Sequence, residues 1–124
     1  MPTQDHITKL LQQAYELHMK TRQSIFAAAP RIREADALCE ALAPHLPAES
    51  SATTLTMICS DGEVWVWVSV FMDTDATCAA IKAADLVIEH IEYADQPNHY
   101  DRIVLRDCAV YVSATPVKAA RKAA

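Results

Sequence analysis

The sequence predicts an α+β domain in which a small, mainly antiparallel sheet built on a hairpin carries helices, in the order α-α-β-β-α-β. Three observations predict it. The single glycine among 124 residues, Gly62, follows Asp61 between two runs rich in β-branched and aromatic residues. The first 43 residues show three- and four-residue apolar spacing. The same spacing returns over about 75–94.

Residues 5–26 place Ile7, Leu10, Leu11, Ala14, Leu17, Thr21 and Ile25 on one stripe, with Thr3 or Asp5 as the cap. Pro30 suits the first turn of a second helix over about 30–43, whose apolar face is Ala35, Leu38, Cys39 and Leu42. Pro44 and Pro47 end it. The expectation is an antiparallel helical pair over 5–43.

Residues 53–60 (TTLTMICS) and 63–72 (EVWVWVSVFM) read as strands. Asp-Gly between them predicts a two-residue type I′ turn, because glycine tolerates positive φ. In that register Cys59 faces Val64 and Ile58 faces Trp65. Leu55, Met57 and Cys59 then join Val64, Val66, Val68 and Val70 on a core face, while Trp65 and Trp67 share the other.

Asp73 or Thr74 caps a third helix over about 75–94. Ile81, Ala84, Val87, Ile88 and Ile91 would face inward, and Asp85, Glu89 and Glu92 would form an acidic stripe with Lys82. Asp95-Gln96-Pro97-Asn98 is a turn, and 101–113 is a strand with a break or bulge near Arg106-Asp107. Residues 1–115 thus form one domain, made of the helical pair and a ββαβ unit over 53–113, followed by a short basic tail over 116–124.

A chain of 13.7 kDa is large enough for a core without disulfides or a structural metal. Cys39, Cys59, Cys78 and Cys108 form no CxxC pair and sit in apolar segments, which predicts four reduced and mostly buried thiols. The N-terminal residues lack the basic-then-apolar plan of a signal peptide, and no apolar run reaches membrane-span length, so a cytoplasmic protein is expected.

The net charge of −5 is unevenly distributed. Residues 1–48 are balanced, residues 49–115 carry eleven acidic against three basic side chains, and the tail adds Lys118, Arg121 and Lys122. An acidic body suits a basic protein partner and repels a phosphate backbone. One glycine cannot build a dinucleotide fingerprint, a Walker loop or a serine nucleophile elbow. The GxxG clamp of a KH domain and the four strands with basic aromatic motifs of an RRM are also missing.

Two groups of residues carry the functional expectation. Trp65 and Trp67 present large area and an N–H donor on one strand face, either as part of the core, as an interface anchor or as a pocket wall. Asp85, Glu89, Glu92, Asp95 and Asp101 would steer a basic partner. Together they predict a non-catalytic protein-binding module. Small acidic proteins with such roles include phage-encoded anti-CRISPR inhibitors, toxin immunity proteins and secretion chaperones, a similarity of size and charge that no motif carries. No cofactor is expected.

Two alternatives stand beside this reading. His90 and His99, with neighbouring carboxylates, would serve a small metal-dependent enzyme or metal-binding protein, although neither HExxH nor paired-histidine spacing occurs. A self-complementary Trp65/Trp67 face would instead make a homodimer. Cys78, near a helix start, is the best thiolate candidate, opposed by Asp73 and Asp75.

Overall fold

The computed structural model describes residues 2–116, with side-chain environments from residue 5 onward. Lys118, Arg121 and Lys122 of the expected basic tail lie outside the described residues. The chain runs α1 (Pro2–Leu42), a 3-10 turn (Ala43–His45), β1 (Ala52–Ile58), β2 (Val64–Asp73), α2 (Thr74–Ala83), β3 (Ile88–Glu92), β4 (Asp101–Leu105) and β5 (Val112–Thr115). The α+β class holds, but the order is α-β-β-α-β-β-β. Among the described residues no helix is long and apolar enough to cross a membrane.

The expected helical pair is one helix of 41 residues. Pro30 sits inside it rather than opening a second helix. Its missing N–H deprives the Phe26 carbonyl of a partner, and both residues are exposed, so water reaches that group. The alanines at 27–29 favour helix on the N-terminal side. α1 ends at Leu42, and Pro44, expected to end the second helix, lies within the 3-10 turn that follows.

A helix this long spans about 60 Å, whereas the ten residues of β2 span about 33 Å. Only the C-terminal half of α1 therefore lies on the sheet, burying Ala28, Ala35, Leu38 and Leu42. Ile7, Leu10, Leu11 and Leu17, expected on an apolar stripe, remain exposed.

The β1–β2 hairpin closes through three residues rather than two. The Gly62 N–H donates to the Cys59 carbonyl at 2.9 Å, and the Cys59 N–H donates to the Glu63 carbonyl at 2.8 Å. Gly62 has φ +86°, the left-handed residue that ends such a loop. The Asp61 carboxylate accepts the Glu63 N–H at 3.0 Å. The extra loop residue shifts the register by one, so Ile58 pairs with Val64, Met57 with Trp65 and Leu55 with Trp67. The valine face of β2 is unaffected. On β1 the faces exchange, and Leu55 and Met57 join the tryptophans.

Asp73 caps α2, accepting the Ala76 N–H at 2.7 Å. The helix ends at Ala83, not near 94, because Asp85 turns the chain at φ +61°. Residues 88–92 are a strand. The register shifts between Ile88 and His90 in the β3–β4 ladder. This bulge puts Ile88 and Ile91 on one face at three-residue spacing, which in the sequence looks helical. The Asp85, Glu89, Glu92 stripe is consequently no helix face. Asp85 lies in the turn, Glu89 at the bulge and Glu92 on β3. The expected break near Arg106-Asp107 is present: Asp107 has φ +57°, and it separates β4 from β5.

The sheet order is β1-β2-β5-β4-β3. It is mixed: β2 and β5 are parallel, and the other pairs antiparallel. One cluster joins Leu38 and Leu42 of α1, Ile81 of α2, the β2 valines, Ile103, Leu105 and Val112. Both helices therefore cover the same face, and among the described residues the other face carries none.

Candidate functional site

The uncovered face is where the sequence placed its tryptophans. Alternation along β2 buries Val64, Val66, Val68 and Val70 to 6% exposure or less, and turns Trp65 and Trp67 the other way. Trp65 is 47% exposed. Pairing of Ser69 with Ser113 brings Tyr111, two residues before Ser113, to the same face. Trp67 and Tyr111 stack with centroids 6.3 Å apart and planes 11° apart. The Arg102 guanidinium lies 5.0 Å from the Tyr111 ring centroid, a cation–π arrangement. Burial pushes the Tyr111 phenol up from its ordinary pKa, and the Arg102 charge opposes that shift.

These side chains floor a groove of about 710 Å³. Met57 and Trp65 form one end. Glu92, opposite Arg102 in the β3–β4 ladder, lies toward the other, and the loop 93–100 forms a rim with Tyr93, Asp95, His99 and Tyr100. Trp65, Tyr93 and Tyr100 are all substantially exposed. The lining is aromatic with a few charges of both signs.

Asp101 has a different environment from its acidic neighbours. It is 2% exposed. Its carboxylate accepts the Ala94 N–H and the Thr74 hydroxyl, each at 2.7 Å. It ties the start of the rim loop to α2 and is withdrawn from the surface. Glu92 and Asp95 are the two expected acidic residues that line the groove, whereas Asp85 and Glu89 lie outside it.

His90 Nε2 lies 3.2 Å from Glu92 Oε2. His99 lines the groove with Glu92 and Asp95. Among the described residues no three His, Cys, Asp or Glu side chains form a metal-sized group. Cys39, Cys59, Cys78 and Cys108 are all unbridged and half-buried. Burial, more than any neighbour, raises the Cys78 thiol pKa, with the Lys82 charge opposing the shift. Burial likewise pushes Cys108 up to about 11, with Glu34 adding to the shift.

Sequence reasoning missed Arg102, Tyr111 and the tyrosines of the rim. Arg102 had a usable signal: it alternates with Ile103 in a strand and so points away from the core. Tyr111 had none, because its place beside Trp67 depends on the parallel β2–β5 pairing, a contact between distant segments. Comparison of the chain with protein-family models, curated proteins and solved structures finds no match.

Proposed function

We propose that this chain is a non-catalytic binding module that captures a basic protein partner on the open face of its sheet. One observation carries the reading: Trp65 stands half-exposed at the mouth of a groove floored by the Trp67–Tyr111–Arg102 stack. Solvated tryptophan beside further aromatic area is the usual composition of an affinity hot spot. Glu92 and Asp95 on the groove, within a body of acidic excess, speed and orient the approach of a positive surface. Blocking the basic, nucleic-acid-facing surface of a partner is the action that fits this charge, as in anti-defence inhibitors or toxin immunity proteins. A cytoplasmic setting suits four unbridged cysteines.

The test is quantitative capture from the native host with wild-type protein and Trp65→Ala side by side, read by mass spectrometry. Proteins enriched by the wild type and lost with Trp65→Ala support the reading. Equal recovery by both proteins refutes it.

A further inference from the structure

The two edges of the sheet are built differently. β3 has five residues, carries Glu89, His90 and Glu92, and is bulged between Ile88 and His90. Shortness, charge and a bulge are devices that keep an edge from recruiting another strand. β1, ATTLTMI, has seven residues, no charge, no proline and an unbroken register with β2. Among the described residues no strand pairs with its outer side. The Cys59 N–H is directed at the carbonyl of Glu63, which leads into β2. Antiparallel alternation then turns the backbone N–H and C=O of Thr54, Thr56 and Ile58 outward.

The helix above this edge carries a matching charge pattern. Thr54 Oγ1 donates to Asp36 Oδ1 at 2.6 Å, and Cys39 Sγ lies 3.5 Å from the same hydroxyl. Leu17 and Thr21 lie against Gly62. α1 therefore runs over the hairpin from its turn toward its base. Arg33 and Glu40 stand one turn before and one turn after Asp36, on the same side of the helix, and both are exposed.

We infer that two copies of this chain join along β1, antiparallel about a twofold axis near Leu55, the middle of the strand. The two sheets become one continuous sheet. The same axis sets the two α1 helices antiparallel, and Arg33 of each copy falls opposite Glu40 of the other. Charge favours a second copy as the occupant. Residues 1–48 balance five acidic with five basic side chains, so this flank carries no net charge to repel its copy, and Asp36, which comes near the axis in both copies, is bonded to Thr54 and flanked by Arg33. Because the axis is perpendicular to the sheet, both aromatic grooves open on one side and give the dimer two equivalent sites.

Light scattering on the full chain from about 1 to about 200 μM tests this, because dimer content follows concentration by mass action. The expected mass is twice 13.7 kDa, falling toward one chain on dilution. Ile58→Lys places a charge on the edge and weakens the dimer at least about tenfold. Arg33→Glu weakens it by about tenfold, and Arg33→Glu with Glu40→Arg restores it. Arg33 and Glu40 are exposed, so this charge exchange leaves the core alone, and thermal melts verify the fold of each variant. Trp65→Ala leaves the dimer intact, which separates this inference from the proposed partner site. A monomer at every concentration overturns it. So does a dimer indifferent to Ile58→Lys and Arg33→Glu, or one that Trp65→Ala dissolves.

Discussion

The two faces of the sheet share the same strands and spend their side chains differently. On the covered face β2 presents Val64, Val66, Val68 and Val70, which pack with both helices. On the open face the intervening positions hold Trp65 and Trp67, joined by Tyr111 from just before β5 and Arg102 from β4. Aliphatic side chains of similar size fill a layer without polar handles. Tryptophan and tyrosine offer large area and one donor each, suited to a surface that is wet until a partner arrives. On the proposed reading, the period-two geometry of a strand separates stability from recognition residue by residue, and a variant should disturb one and spare the other.

The largest expected effect lies on the covered face. Ile103→Ala removes a fully buried side chain of β4. It should cost about 2–5 kcal/mol of stability in denaturant melts. Partner affinity per folded molecule should be unchanged, and a parallel loss of affinity would break the separation of the faces.

Asp101→Ala tests the place where the faces communicate. It leaves the Ala94 N–H and the Thr74 hydroxyl without this acceptor, at a cost of roughly 2–3 kcal/mol. Because Asp101 anchors the rim loop, affinity should fall as well, unlike in Ile103→Ala. Titrations on both variants, corrected for the folded fraction, sharpen the comparison. Unchanged affinity in Asp101→Ala would show that the rim loop takes no part.

A smaller effect is expected at the hairpin. Gly62→Ala forces an L side chain to φ +86° and puts its Cβ 3.0 Å from Thr21 Oγ1 on α1. The cost should be about 1–2 kcal/mol. The melt of this variant should remain cooperative, because the β1–β2 register is also held by the buried valines.

How much of this was legible depended on whether a signal was local. The hairpin, the Asp73 cap, the helix end near Pro44, the break near Asp107 and the aliphatic core face of β2 follow from turn residues and alternation within a few positions. The errors arose where local signals carry two meanings. Asp-Gly serves a two-residue loop or, as here, a three-residue loop with glycine last, and the difference reversed the faces of β1 but not of β2. Ile88 and Ile91 are spaced as in a helix because a bulge inserts a residue in β3. Pro30 reads as a helix start, yet it is tolerated mid-helix because the Phe26 carbonyl that it leaves without a donor lies on the exposed side of the helix. At the site, Trp65 and Trp67 were visible from alternation alone. The parallel pairing that adds Tyr111, and the buried bonds that withdraw Asp101, involve segments far apart in sequence, and no local pattern encodes them.

The central claim is that the open aromatic face binds a partner while the covered face only holds the fold. The most direct measurement is the affinity of the captured partner for the wild type and for Trp65→Ala, paired with a melt of each. The account predicts a loss of at least about 2 kcal/mol in binding, some thirtyfold. It also predicts a stability change of about 1 kcal/mol or less, since Trp65 is half-exposed already. Unchanged affinity in a well-folded Trp65→Ala protein would contradict it.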